Sequence, residues 1–588
     1  MAEPKENVLM EKIVSLCKRR GFIYQSSEIY GGINGFWDYG PLGAELKRNL
    51  RDAWWHTMMR EREDVVGLDA SIILHRAVWK ASGHEDTFAD MMRECPLTKK
   101  RVRSDQVEQQ SGNVYRWLGA SSKISMLNVD KPFGVLLRKG ENPDSARKKA
   151  REFYAQGSID WGTGEWTQLE LKGETTATVS NSFDFHPESG VELSEARPFN
   201  LMLKTHTGPI ESDENLAYLR PETAQAIFVQ FKNVLDSSRV RVPFGIGQIG
   251  KAFRNEITPR NFTFRSREFE QMELEFFILP DEAVRLLHGG VAEWSEGADL
   301  SSPQPNWGWE MWHRYWVAQR TEFYNRIGLG ADVLDYYWQK PEELAHYAKA
   351  TVDILCKFPF GTEELEGIAA RGDFDLTQHQ KHSGKSLEVF DEELRAAATK
   401  LTDDQKRDFV AEVQADWNDR NGSREAAALF CEKLFRGVYL PHVIEPSAGL
   451  DRLTLAILAT AYHEEQKTDA NGKVDQRTVL RFHPRVAPIK VGVFPLLKNK
   501  PELVTKAREV FRLLQKHFAC FYDEAGAIGR RYARQDEAGT PFCLTIDFDT
   551  LGEKPELLNT VTLRHRDDGR QERLAMGELL NWLLPKIR

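Results

Sequence analysis

The sequence predicts an α+β chain: a mostly antiparallel sheet flanked by helices, interrupted by insertions, with an α/β segment at its C-terminal end. Three observations lead there. Residues 243–280 alternate as two strands joined by a polar loop. Residues 438–445 (VYLPHVIE) read as a strand that turns into a helix over 449–463. After residue 489, strands and helices alternate over about 100 residues, as in an α/β domain.

The elements follow in order. Residues 7–20 have helical apolar spacing, and 21–43, rich in glycine and aromatics, read as short strands and turns. Residues 44–62 predict a long amphipathic helix with Leu46, Leu50, Trp54 and Met58 on one stripe, and 64–74 follow with strand character. Residues 95–198 are polar and read as an insertion, with a basic run at 145–151 and a Gly/Thr/Ser-rich stretch at 162–182. Pro221 opens a helix over PETAQAIFVQFKNVL, and 306–330 are aromatic and helical. A second, helical insertion covers 385–436, and 464–478 read as a charged linker. The last segment predicts strands at 489–494, near 519–522, at 542–547 and at 558–565, with helices at 500–516 and 571–584. The expected division is a body over 1–482 and a C-terminal domain over 485–588.

At 588 residues, with 41% apolar and 28% charged residues, the chain is a globular one of about three to four domains, or one large domain with satellites. A net charge of −9 argues against a general nucleic-acid coat. Residues 481–588 nevertheless hold 19 basic against 14 acidic residues, which marks them as the part to meet a polyanion. Six cysteines without a CxxC pair argue against a disulfide framework. No apolar run approaches about 18 residues and the start lacks a signal-peptide pattern, so a cytoplasmic location and no membrane contact are expected.

Chemistry concentrates in three places. In GKAFRNEITPRNFTFRSREFEQMELEFF, Arg254 and Glu256 are read two apart on a strand, hence on one face. On the returning strand Phe269, Gln271, Glu273, Glu275 and Phe277 share a face, while Met272, Leu274 and Phe276 suit a core. The hairpin thus presents carboxylates, an amide and arginines together, although a solvated outer face with surface ion pairs fits the same pattern. In PHVIEPSAGLDR, a strand ends in Glu445, Pro446 and Ser447, and Ala448 and Gly449 open a helix carrying Arg452, within reach of a phosphate. An ordinary strand-to-helix junction is the plainer alternative. Third, Gly40-Pro41-Leu42-Gly43 fixes a turn before the aromatic-rich helix, a packing or subunit-contact feature.

In this order the three motifs are similar to those of class II aminoacyl-tRNA synthetases. The chain resembles the glycyl-tRNA synthetases of the homodimeric type through GFIYQSSEIYGGINGFWDYGPLGAELKRNL, RPFNLMLKTHTGP, LRPETAQAIFVQFKNV, GQIGKAFRNEITPR, REFEQMELEFF, ELEGIAARGDFDL and PHVIEPSAGLDRL. These runs span residues 21 to 455, and the C-terminal segment fits the family's anticodon-binding domain.

The resemblance implies that glycine and ATP give glycyl-adenylate and pyrophosphate, and that glycine then passes to the 3′-terminal adenosine of tRNA(Gly). It implies a homodimer, ATP as substrate and Mg2+ with it. Both reactants are anionic, so the site must supply cations. Arg254 matches the arginine that holds the α-phosphate and Arg452 the one that holds the γ-phosphate; with Glu256 they form the implied catalytic set. The implied ATP site adds Asn255, Phe264, Arg265, Ser266, Arg267, Glu268, the adenine-stacking Phe269, Glu364, Leu365, Gly449, Leu450 and Asp451, with Glu364 as magnesium ligand. The implied glycine site comprises Arg103, Glu222, Phe269, Glu270, Gln271, Met272, Glu273, Glu445, Ser447 and Gly449. Carboxylates around one ammonium form charge-assisted hydrogen bonds and leave no room for a larger side chain. Arg371 is read either as a partner of these carboxylates or as a structural ion pair.

Where many relatives carry cysteine pairs, this chain has only Cys95 and His186, which argues against a bound zinc. His75, His206 and His442 are read as structural, because an ionised carboxylate needs no base. Arg530, Arg531, Arg534, Arg564, Arg566 and Arg570, with Tyr532 and Phe548, offer cations and stacking faces for unpaired bases, or ordinary surface charge. Two rivals are weighed: a synthetase for threonine, proline or histidine, whose pocket needs other polar groups, and a synthetase-like protein without catalysis, which would have lost Arg254, Arg452 or the carboxylates.

Overall fold

A computed structural model describes residues 5–122, 128–156, 167, 169–345, 347–418, 423–468 and 474–587. The described chain divides into two units: 1–82, 204–254 and 259–588 in the first, 83–203 and 255–258 in the second. The insertion expected at 95–198 falls inside the second. The fold is α+β, as the sequence predicts.

The first unit is built on a seven-stranded sheet. Its strands are β1 (Val65–Gly67), β2 (Phe244–Phe253), β3 (Glu268–Ile278), β4 (Leu334–Trp338), β5 (Ala350–Phe358), β6 (Gly361–Gly372) and β7 (His442–Gly449), in the order β4-β5-β6-β7-β3-β2-β1. All neighbours are antiparallel except β1 and β2. On one face Met272, Leu274, Phe276, Ile354, Ile368 and Ile444 pack on α1 (Pro41–Trp55), α3 (Trp309–Arg326) and α5 (Leu450–Ala461). On the other, Phe244, Ile246 and Phe277 meet Ile227, Phe228 and Phe231 of α2 (Ala224–Ser238) and Leu376 of α4 (Phe374–Ser383). The apolar end of this second face closes the core and leaves its polar end to a pocket. The insertion at 385–436 adds helices Glu392–Thr399, Asp403–Asn418 and Arg424–Phe435, whose Leu394, Val413, Ala427, Cys431 and Leu434 extend the same core.

Several local expectations differ from the structure. β2 stops at Phe253, where its N–H bonds to the Arg220 carbonyl at 2.8 Å, so Arg254 and Glu256 do not lie on a strand. β7 runs on through Ser447, Ala448 and Gly449, because these residues pair with β3 on one side and Ser447 and Ala448 also with β6 on the other. The helix therefore starts at Leu450, with Gly449 as its N-cap. Pro221 and Glu222 stay outside α2, which begins at Ala224. Residues 462–468 and 474–480 pair as a hairpin instead of a linker.

The C-terminal segment forms a five-stranded sheet from β8 (Val491–Pro495), β9 (Cys520–Tyr522), β10 (Phe542–Ile546), β11 (Thr560–His565) and β12 (Gln571–Ala575), in the order β9-β8-β10-β11-β12. The first three are parallel and the last two antiparallel. Helices α6 (Pro501–Leu514), α7 (Ile528–Ala538) and α8 (Leu579–Ile587) accompany it. The helix expected over 571–584 is thus strand and then helix, and α7 is an element the sequence reading lacks.

The second unit has its own core of Trp117, Phe133, Val135, Phe153 and Tyr154. A four-stranded sheet (Gln110–Ser121, Asn128–Leu137, Glu170–Lys172, Thr175–Ser182) packs with helix Pro143–Ala155. Residues 162–166 and 168 of the Gly/Thr/Ser-rich stretch lie outside the described residues. No described helix is long and apolar enough to cross a membrane.

Candidate active site

Alternation along β3 sends Phe269, Gln271, Glu273, Glu275 and Phe277 to one face. This face is not solvated: Glu273 is 2% exposed and Glu275 fully buried. Glu273 accepts hydrogen bonds from Ser447 Oγ at 2.8 Å and from Thr223 Oγ1. Gln271 donates to Ser447 Oγ at 3.5 Å, while its own Oε1 meets no partner among the described residues. Glu222 accepts from Gln225 Nε2 at 3.1 Å, and the same nitrogen reaches Asp375 at 2.9 Å.

Arg371, from β6, is the cation of the cluster. It donates to Glu445 at 2.7 Å and, in a two-pronged contact, to Asp375 at 2.9 and 3.1 Å, with the Tyr347 ring centred 4.1 Å from its guanidinium. Both readings of this residue therefore hold: it pairs with a pocket carboxylate, and it is a buried structural ion pair. Burial, then repulsion from Glu222, raises the Glu273 pKa. Burial, only partly offset by Arg371, pushes Glu445 up to about 8. The pocket is a crowd of carboxyls short of positive charge.

Adjoining it are two arginines set on aromatic rings. Arg254 donates Nε to the Pro221 carbonyl at 3.0 Å and lies 5.4 Å from the Phe269 ring centre. Arg452 projects from the first turn of α5; its guanidinium sits 4.6 Å from the Phe264 ring centre and 3.2 Å from both the carbonyl and a carboxylate oxygen of Glu364. Phe264 is held edge-on by Phe358 and Phe360. Asp353, across the β5–β6 pair, is raised by burial and by the charge of Glu364. In the loop before β3, Arg267 donates to the Asn34 carbonyl at 2.9 Å, Ser266 Oγ to the Thr263 carbonyl at 3.4 Å, the Arg265 N–H to the Arg260 carbonyl at 3.3 Å, and Glu268 pairs with Lys251.

Several residues named from the sequence lie elsewhere. Met272, Leu365 and Leu450 belong to the core. Glu270 points to the α1 side, where Lys47 bridges it at 3.1 Å to Asp451 at 2.7 Å. Asp451 also accepts the Glu270 N–H at 2.6 Å and the Tyr39 hydroxyl at 2.5 Å, so it ties α5 to the back of the pocket. Asn255 and Glu256 fall with the second unit, where the Asn255 N–H bonds to the Leu201 carbonyl. Arg103 also lies in that unit, paired with Asp90 at 3.2 Å and Asp105 at 2.9 Å.

The cationic face expected on the C-terminal domain is largely spent inside it. Arg531 is buried and donates to the Gly526 and Pro495 carbonyls. Arg534 pairs with Asp523, and Arg564 with Asp536. Arg566 reaches the Phe482 and Gly539 carbonyls, and Arg570 pairs with Glu572. Arg530 stays exposed.

Cys95 and His186 share the neighbour Ser189. The His186 Nδ1 accepts the Glu188 and Ser189 N–H groups at 3.3 Å, and the Cys95 Sγ meets the Ser189 hydroxyl at 3.5 Å. One thiol, one imidazole and a hydroxyl fall short of four nitrogen or sulfur ligands. His75 caps helix Arg76–Ala81 by accepting the Ala77 N–H.

Sequence reasoning missed Thr223, Tyr347, Asp353 and Asp375, which approach the pocket from separate elements and carry no local signal. Glu275 is visible on the shared face, but the sequence alone carries no sign of its role.

An antiparallel sheet that presents two arginines and a carboxylate pocket on one face, followed by an α/β domain, defines a class II aminoacyl-tRNA synthetase. Residues 490–586 match the anticodon binding domain family. The chain is 42% identical to the glycine–tRNA ligase of Rhodopirellula baltica, covering 98% of this chain and 99% of that protein. It is 43% identical to the glycine–tRNA ligase of Thermus thermophilus, over 98% of this chain and 99% of that protein, and 40% identical to that of Thermobifida fusca, over 98% of each. The chain belongs to the glycine–tRNA ligase family.

Proposed function

We propose that this chain charges tRNA(Gly) with glycine by way of glycyl-adenylate, and that the pocket of Glu222, Glu273 and Glu445 takes the substrate ammonium. The observation that carries this is the buried Thr223–Glu273–Ser447 set. It fixes a carboxylate in a confined space, next to two arginines placed for phosphates. Charge-assisted hydrogen bonds hold the ammonium, and the walls exclude a β-carbon. A glycine carboxylate oxygen attacks the α-phosphorus of ATP, the bond from that phosphorus to the α,β-bridging oxygen breaks, and pyrophosphate leaves with the bonding pair. Arg254 offsets charge at the α-phosphate and Arg452 at the γ-phosphate. Phe269 gives the adenine a flat face. In the second step the adenylate passes glycine to the terminal ribose of the tRNA and releases AMP.

Magnesium fits the donor set here: Glu364 and Asp353 offer hard carboxylate oxygens on either side of Gly367, whose added Cβ would lie 3.8 and 3.6 Å from them. These two residues would hold it jointly with phosphate oxygens, and the ion would add positive charge to the leaving group. The same reading makes the enzyme a cytoplasmic homodimer joined near α1, which sedimentation tests.

The decisive experiment is ATP–pyrophosphate exchange with each of the twenty amino acids. Exchange with glycine alone, lost in Arg254→Ala and Glu273→Ala, supports the reading. Exchange with another amino acid keeps the fold and overturns the pocket assignment.

A further inference from the structure

Glu275 stands two residues beyond Glu273 on β3, roughly 6.8 Å farther along the strand. It is fully buried, and neither of its carboxyl oxygens meets a hydrogen-bond partner among the described residues. Its polar surroundings are mainly other acids. Oxygens of Glu273, Glu275 and Glu445 all lie within 4.8 Å of one another. Asp375 faces it from α4, and Arg371 of β6, the one cation in contact with the cluster among the described residues, turns its Nε, Nη1 and Nη2 to Asp375 and Glu445. An ionised carboxylate with no donor, beside two others, has only the charge of Arg371 to set against its desolvation. A neutral acid in the same place carries a proton that can be given to a neighbour.

We propose that Glu275 is a positioning residue for glycine: it remains a neutral carboxylic acid beneath the pocket and lends its O–H to Glu445 or Glu273 when they turn their charge toward the substrate ammonium. This rests on the pocket being the glycine site. With Glu275 neutral and Arg371 matched by Asp375, three carboxyls (Glu222, Glu273 and Glu445) face one ammonium. An ionised Glu275 would add a fourth and leave a buried excess of negative charge in every state. Burial and the neighbouring Glu445 act in the same sense, pushing the Glu275 pKa well above the usual carboxylate range. Tyr347 and Glu222, the other titratable groups of the cluster, bear on Glu445 and Glu273 instead of on Glu275.

The test compares wild type, Glu275→Gln and Glu275→Leu in glycine-dependent pyrophosphate exchange, with infrared spectra at pH 8. Gln keeps the shape, the neutrality and a donor; Leu keeps only neutrality and bulk. The expected result is a glycine KM within about threefold of wild type for Gln and raised more than about tenfold for Leu, with the ATP KM unchanged in both. The wild-type-minus-Gln infrared difference should contain a protonated-acid carbonyl band. Equal KM increases in Gln and Leu, or no such band, would overturn the proposal. If Leu does not fold, the Gln kinetics and the band decide alone. Absence of glycine-dependent exchange in wild type would refute the pocket reading instead, and the band would still report the state of Glu275.

Discussion

Arg371 shows how much rests on single charges in this pocket. Among the described residues it is the only guanidinium in direct contact with Glu445 and Asp375, and it is 5% exposed. Removing one member of a buried pair leaves an uncompensated charge, at a cost of about 3–5 kcal/mol. Arg371→Met should therefore lower the unfolding midpoint and raise the glycine KM, because Glu445 then holds its proton more tightly; an unchanged glycine KM in folded variant would sink this account. The raised Glu445 pKa has a second consequence. Between its ordinary value of 4.5 and about 8, the native state keeps a proton that the unfolded chain has shed. This group's contribution to stability is thus full below 4.5 and is lost as pH rises to about 8. An arriving ammonium favours the ionised form, so glycine binding at pH 7 should expel close to one proton per site. Calorimetry in buffers of different ionisation enthalpy measures it, and a binding heat independent of buffer would contradict it.

At the scale of elements, glycines decide where side chains fit. An added Cβ at Gly250 would lie 2.1 Å from Arg220 Nη2. Arg220 cannot yield, because it donates to the Lys251, Ala70 and Ser71 carbonyls and to Gln248 Oε1. Its backbone also anchors Phe253 and leads into Pro221 and Glu222. Gly250→Ala should cost about 1–3 kcal/mol by overpacking and raise the glycine KM. At Gly367 the nearest atom to an added Cβ is 3.6 Å away, so Gly367→Ala should fold normally and act on the ATP and magnesium dependence instead. Urea titration and the two KM values separate the variants; the reverse pattern would show that the pocket wall is misplaced. These elements also mark how far the sequence can be read. The alternation EFEQMELEFF is enough to place Glu273 and Glu275 on a common face, since a strand repeats every two residues. The same rule fails for Arg254 and Glu256, because β2 ends one residue earlier in a bond to the Arg220 carbonyl, 33 positions back. Ala448 and Gly449 look like a helix start and are extended, held by ladder bonds from strands distant in sequence. Asp375 and Thr223 reach the pocket only through tertiary packing, which leaves no local pattern.

Across the whole molecule, the catalytic body and the C-terminal domain meet at a buried lysine. Asn49 of α1 donates to the Val486 and Ala487 carbonyls, and Arg19 and Arg20 pair with Glu537 of α7. Between α1 and the C-terminal sheet lies a cavity of about 1080 Å³ lined by Glu45, Asp52, Arg485, Lys490 and His517. Lys490 is 5% exposed, and among the described residues its ammonium donates only to the Pro484 and Arg485 carbonyls, at 3.0 and 2.6 Å. Burial, with repulsion from Arg485 and only partial help from Glu45 and Asp52, pushes its pKa down to about 7. From about 7 to its ordinary 10.5 the unfolded chain binds one more proton than the native one, so this residue's penalty is largest below pH 7 and fades as pH rises. Lys490→Met removes the penalty. The variant should gain stability over wild type at pH 6, and that gain should shrink by on the order of 3 kcal/mol by pH 9.5. Urea unfolding at the two pH values measures the difference. An equal gain at both would mean that the lysine is paired within the cavity, by Glu45 or Asp52, and that the junction between the two parts is held by an ion pair instead of by the backbone carbonyls of 484 and 485.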